Sequence, residues 1–186
     1  MAEKGTSEAI GLIMREVGAA LAQVAQDQVG DLERALLGAR AVFVVGEGRS
    51  GLVARSFAMR LMHLGLLAQV VGETTTPAVP EGALLLAVSA SGETATTCAL
   101  AASARAQGAQ VAAVTASPGS SLAAAAHHLV VIPAAGGQGG PAASKQFGGS
   151  LFEQSALILL DAVALDLQRR LGRSGAEMKA RHATLE

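Results

Sequence analysis

Tryptophan and tyrosine are absent from this 186-residue chain, and aromatic residues make up only 2% of it. Without them the chain lacks the stacking platforms on which single-stranded nucleic-acid binders and most binders of bare sugar rings rely. A polysaccharide is therefore not an expected ligand. A surplus of charge of one sign is also missing: 14 Lys+Arg stand against 15 Asp+Glu, for a formal net charge of -1. No broad field draws in nucleic acid or an anionic membrane, so any bound anion must be caught by a local site. The single cysteine, Cys98, cannot form an intramolecular disulfide, and its setting in the apolar stretch TTCALAASA gives it a packing role. No apolar run approaches the ~20 residues of a membrane span, and the opening MAEKGTSEAIGL has no basic segment followed by an apolar one. A soluble, cytoplasmic protein is expected, with neither nucleic acid nor membrane as partner.

What is present is enough apolar material, 51% of the residues, for one complete core. The chain divides into a helical arm over 1–38, a core over 39–172 and a tail over 173–186. In the arm, Ile10, Ile13, Met14, Val17, Leu21 and Val24, then Val29, Leu32, Leu36 and Leu37, recur near the helical period. The runs AVFVV (41–45), LLAQVV (66–71), ALLLAV (83–88), QVAAVT (110–115) and HLVVIP (128–133) lack polar alternation, which predicts strands buried on both faces. Helical stretches separate them, the second ending at Gly108. This alternation predicts a three-layer α/β/α domain with a five-stranded, mostly parallel sheet. The segment 133–149, rich in Gly and small residues, reads as a mobile loop of functional length. After it, SLFEQSALILLDAVALDLQRRLG is apolar around most of its circumference and predicts a helix that needs a second subunit to cover it.

Two of the predicted strands run into glycine- and hydroxyl-rich turns that open helices, GEGRSG (46–51) and SASGET (89–94). In a parallel sheet both fall at the carboxyl edge of the strands, where free amide groups and helix N-termini favour an anion. Ser89, Ser91 and Thr94 supply three hydroxyl donors, and Gly92 lets the backbone approach closely. The pattern suits a phosphomonoester. Two other readings stand beside it. SASGET could be an ordinary helix start, for which one hydroxyl would serve. Gly46, Gly48 and Gly51 also match GxGxxG, with Glu73 near the ~20-residue offset of a ribose-binding acid. A dinucleotide, however, has no need of a second hydroxyl-rich turn, and Arg49 and Ser50 crowd the first.

SASGET matches the SxSGxT motif of the SIS (sugar isomerase) domain family, and GEGRSG is similar to that family's first loop. FAMRLMHLG, GGSLFEQ and the closing MKARHATLE resemble its 6-phospho-3-hexuloisomerase branch in particular, with Glu47 and His127-His128 as departures. The resemblance implies a flavodoxin-like single domain, a homo-oligomer that is a tetramer, and neither metal nor redox cofactor. It implies interconversion of D-arabino-3-hexulose 6-phosphate and fructose 6-phosphate through a cis-enediol, in the ribulose monophosphate route of formaldehyde fixation. Other phosphosugars, arabinose 5-phosphate or sedoheptulose 7-phosphate, and a non-catalytic sugar-phosphate-binding module are the alternatives. The phosphate is expected at Gly48, Arg49, Ser50, Ser89, Ser91, Gly92 and Thr94.

Glu153 is the expected base by resemblance, although Ser150-x-x-Glu153 also spells a capping box, in which that glutamate would only satisfy a helix end. His63 is the second catalytic candidate. His182 and Glu186, in the tail, are placed to reach a neighbour's site. Lys145 reads as solvent-facing loop. His127 and His128, adjacent on a strand, point to opposite faces and cannot share a metal.

Overall fold

A computed structural model of the protein describes residues 2–134 and 144–185. Two helices, α1 (Ala2–Leu21) and α2 (Gln26–Gly38), form the arm. The core follows as β1 (Val42–Val45), α3 (Gly48–His63), β2 (Ala68–Val70), β3 (Leu84–Val88), α4 (Ala95–Ala106), β4 (Gln110–Thr115), α5 (Ser121–Ala125), β5 (His128–Val131) and α6 (Ser150–Arg170). A short α7 (Gly175–Ala180) lies in the tail. The centre of the glycine-rich loop, 135–143, and Glu186 lie outside the described residues.

The five strands form one sheet in the order β2-β1-β3-β4-β5, and every pairing is parallel. Strand alternation divides the apolar residues between two layers. Val42, Val44, Leu84, Leu86 and Val114 face a core shared with α1, α2, α3 and α6, centred on Phe57, Leu61 and Phe152. Phe43, Val45, Leu85, Val111 and Ala113 face a thinner layer whose helices, α4 and α5, contribute small residues and Leu122. The result is the expected α/β/α sandwich, with the arm packed into the larger core through Val17, Ala20, Leu32 and Leu36. β1, β3 and β4 are buried on both faces, as their unbroken apolar runs predict. β2 and β5 depart from that expectation: β2 is half-buried throughout and β5 is buried only at Val130, because both are edge strands, where one neighbour is missing.

The strand order positions the site. β1 sends its crossover outward to β2, while β3, on its other side, sends its own to β4. The turns after β1 and β3 therefore part company at the carboxyl edge and leave a crevice, the place where open α/β sheets bind ligands.

Candidate active site

Two close backbone approaches shape the crevice. A Cβ on Gly46 would come 2.8 Å from the Val88 carbonyl oxygen, and one on Gly51 would come 2.5 Å from that of Gly46. Glycine at 46 lets the first turn lie directly against the end of β3, and glycine at 51 lets the start of α3 close tightly on the turn itself. These two glycines of the GxGxxG match are thus taken up by close backbone packing, one against β3 and one within the turn. Glu73, the acid a dinucleotide would need, is ion-paired with Arg55.

Between the turns lies a cavity of 410 Å³ lined by Glu47, Ser50, Ser89, Ser91, Thr94, Gly148 and Gly149, with Val88 and Ala90 beneath. Ser89 Oγ accepts the Gly92 N–H at 3.2 Å and lies 3.2 Å from Thr94 Oγ1, while Ser91 Oγ accepts the Glu93 N–H at 3.2 Å. The backbone uses both serines as acceptors, which leaves hydroxyl protons to offer to an outside oxygen. One proton is shared within the Ser89–Thr94 pair.

Three helices begin at this cavity: α3 at Glu47, α4 at Thr94 and α6 at Gly149, and none of the three N-terminal residues makes a side-chain capping bond. The ordinary helix-start reading of SASGET therefore does not describe Thr94, whose hydroxyl is turned to Ser89. Three uncapped, positive helix ends aimed into one hydroxyl-lined space make a binding place for a polyvalent anion.

Glu153 occupies the first turn of α6. The predicted capping box does not form. The helix is capped at Gly149, one residue before Ser150, and no side chain bonds that cap. Glu153 instead accepts a hydrogen bond from Arg49 Nε, with its Oε1 3.3 Å from the place a Cβ on Gly149 would occupy. The pair joins the start of α6 to the start of α3 beside the cavity wall. The arginine side chain is 60% exposed and the glutamate 16%, so solvent reaches the cation while the acid is held.

His63 lies elsewhere. It ends α3, the helix that Gly48 begins, and fifteen steps of helical rise put it about 22 Å from the first turn. It stands at the end of the first crossover helix, where the sequence puts it, too far to act on a sugar held in its own chain's cavity. Its ring, 4% exposed, stacks on that of His182 with centroids 5.2 Å apart. The tail folds back here, with Arg173 Nε donating to the Leu64 carbonyl oxygen and the Arg181 guanidinium over Gly65. Within one chain, then, His182 meets His63 rather than a neighbour's cavity.

His127 Nδ1 accepts the Val111 N–H at 2.9 Å, and His128 Nε2 lies 3.0 Å from Gln110 Oε1. Burial, followed by nearby Arg105, lowers the His127 pKa, in keeping with a neutral acceptor nitrogen. Among the described residues no group of three or more His, Cys, Asp or Glu could hold a metal ion. Cys98 is half-buried beneath the second turn, its thiol donating to the Gly92 carbonyl oxygen at 3.4 Å. Lys145 is exposed. Sequence reasoning missed Gly148 and Gly149 as cavity wall, because only the folded chain brings the start of α6 to the β1 and β3 turns.

Glu47 is the one ionisable side chain among the lining residues. A carboxylate facing a phosphate dianion repels it. Glu47→Gln should tighten inorganic phosphate about three- to ten-fold at low ionic strength and less in 0.5 M salt. Titration calorimetry at both salt levels checks this; unchanged or weaker binding would place Glu47 outside the field of the anion.

A model of the SIS domain matches residues 35–158. The 3-hexulose-6-phosphate isomerase of Mycobacterium gastri is 44% identical over 178 residues, spanning 95% of this chain and 89% of that protein. That of Bacillus subtilis (strain 168) is 38% identical over 183 residues, spanning 97% of this chain and 99% of that one. Among solved structures, the Methanococcus jannaschii protein MJ1247 superposes with a TM-score of 0.82 at 28% identity, covering 96% of this chain and 99% of that one. Its crystal structure was taken to infer a 3-hexulose-6-phosphate isomerase function. With the doubly wound sheet, the paired turns and these relatives in agreement, the chain belongs to the SIS domain family.

Proposed function

We propose that the protein is an isomerase interconverting D-arabino-3-hexulose 6-phosphate and fructose 6-phosphate. The observation that carries this reading is the convergence of three helix N-termini without side-chain caps on a hydroxyl-lined cavity, with a glutamate fixed against Gly149 of its wall. The substrate phosphate sits among Gly48, Ser50, Ser89, Ser91, Gly92 and Thr94, and the binding energy it gains holds the sugar against the base. Arg49 orients the carboxylate. Glu153 removes the proton from C2, the electron pair moves to the C3 carbonyl to give a cis-enediol, and the proton returns at C3 as the C2 hydroxyl becomes the carbonyl. The same reading places the enzyme in the cytoplasm, in the ribulose monophosphate route. Among the described residues no helix is long and apolar enough to cross a membrane.

The test is to incubate the purified chain with hexulose 6-phosphate and measure fructose 6-phosphate by a coupled reaction, with arabinose 5-phosphate and sedoheptulose 7-phosphate as controls. Turnover of a control alone would overturn the substrate assignment.

A homotetramer belongs to the same proposal. Leu52, Met59 and Met62 on α3 and Ile158 and Leu165 on α6 are exposed on two helices that pack against each other, and apolar side chains gathered on neighbouring elements favour an interface. Assembly through such a face supplies the only route by which the His63–His182 pair can serve a cavity, that of a neighbouring copy. Mixed oligomers of Glu153→Gln and His63→Ala chains, each inactive alone, should regain activity on subunit exchange; continued inactivity would remove the histidines from the chemistry.

A further inference from the structure

Glu16, half-buried on α1, is far in sequence from both turns and from α6. Its carboxylate nevertheless accepts three hydrogen bonds from one short segment. Oε2 takes the Ser144 hydroxyl at 2.6 Å and the Gln146 side-chain amide at 2.9 Å, and Oε1 takes the Lys145 backbone N–H at 3.1 Å. Ser144 Oγ in turn accepts the Gln146 N–H at 3.0 Å, so the segment is a compact turn wrapped on one carboxylate. The next residue, Phe147, is 94% exposed and gives no apolar anchor. Gly148 and Gly149 then follow as cavity wall and helix cap.

The geometry points to Glu16 as a positioning residue whose carboxylate pins residues 144–146 and so fixes the Gly148–Gly149 wall of the anion cavity. Its functional half rests on the phosphate reading above. The same bonds, that from Ser144 first, then Gln146 and Lys145, hold the Glu16 carboxyl below its ordinary pKa. The latch acts on binding and leaves the chemistry alone, because the start of α6 has its own anchors: Leu151 and Phe152 are buried in the larger core, and Arg49 holds Glu153.

Glu16→Ala should fold, since the core face of α1 at that level is Val17 and Ala20. Amide hydrogen exchange over 144–149 should quicken about ten-fold or more, as expected when charge-assisted bonds are lost, with the sheet and α3 unchanged. Inorganic phosphate should bind about five- to ten-fold more weakly and KM for hexulose 6-phosphate should rise in step, while kcat stays within about two-fold. Ser144→Ala with Gln146→Ala removes two of the same bonds from the other side. It should give a similar split, should add nothing to Glu16→Ala, and carries the test if Glu16→Ala does not fold. Exchange at 144–149 like that of the unaltered chain, unchanged phosphate affinity, or a drop in kcat instead of a rise in KM would each overturn the assignment. An unaltered chain that binds neither phosphate nor hexulose 6-phosphate would instead overturn the phosphate reading, and this inference with it.

Discussion

Glu153→Gln should lower kcat by about 10²- to 10⁴-fold, the span commonly covered by loss of a positioned general base, and should leave the fold intact. The amide keeps the length of the side chain and an oxygen to accept the Arg49 Nε–H, so the tie between α3 and α6 survives. What it cannot do is hold a proton taken from carbon. Glu153 is not the cap of α6, so no helix N–H is orphaned by the change, and thermal unfolding should match that of the unaltered chain. KM should move little, because the phosphate groups lie in the two turns. The measurement is steady-state kinetics beside a melting curve. A near-normal rate would remove Glu153 from the mechanism, and a collapsed fold would show that the glutamate is structural after all.

The placement of that base also limits what else can share the work. In the proposed mechanism a proton moved between C2 and C3 needs one base able to reach both carbons, the part proposed for Glu153, which Arg49 tethers beside the Gly149 wall. The oxygens need a second donor and acceptor. Among the described residues of one chain the candidates are the cavity's own hydroxyls and Glu47, because His63 lies at the far end of α3. His63 and His182 could enter only from another copy, so the assembly proposed through the apolar outer face of α3 and α6 would bear on the chemistry as well.

The strands were legible in the sequence because a strand buried on both faces must be apolar along its length, as β1 and β3 are throughout and β4 is between its end residues Gln110 and Thr115. The two turns were legible for a related reason: closely spaced glycines and hydroxyls after such a strand have few other uses. β2 misled because an edge strand can carry the same residues as a central one, and sequence does not show the missing neighbour. At Glu153 a shift of one residue removed the capping role that the sequence offered. Ser150 is already inside α6 and cannot serve as its cap, and helix starts are uncertain by one or two residues from sequence. The Arg49–Glu153 pair and the Glu16 latch join residues 104 and up to 130 positions apart, so no local pattern announces either.

Gly92→Ala should destabilise the domain and weaken anion binding together. Gly92 has φ +64°, in the left-handed region, and an added Cβ would lie 2.0 Å from Ser120 Oγ, 2.6 Å from Ser120 Cβ and 3.1 Å from Thr115 Oγ1. Ser120 has little room to yield: it is 4% exposed and caps α5 by accepting the Ala123 N–H at 3.3 Å. Gly92 is fixed as well, its N–H on Ser89 Oγ and its carbonyl oxygen accepting from Leu122 N at 3.0 Å and Cys98 Sγ. Left-handed backbone with a side chain costs about 1–2 kcal/mol, and overpacking adds about 1–3 kcal/mol. Together these should lower Tm by roughly 5–15 °C for a domain of this size. Because any shift that relieves the clash pulls the Gly92 amide away from Ser89, phosphate affinity should fall about ten-fold or more as that cradle bond is lost. Adding Ser120→Gly removes the clash but keeps the backbone strain, so stability should recover only in part. Calorimetric melting and phosphate titration of the single and double variants check both halves. A Gly92→Ala chain with unaltered Tm and phosphate affinity would mean that the second turn is not seated on Ser120 as described.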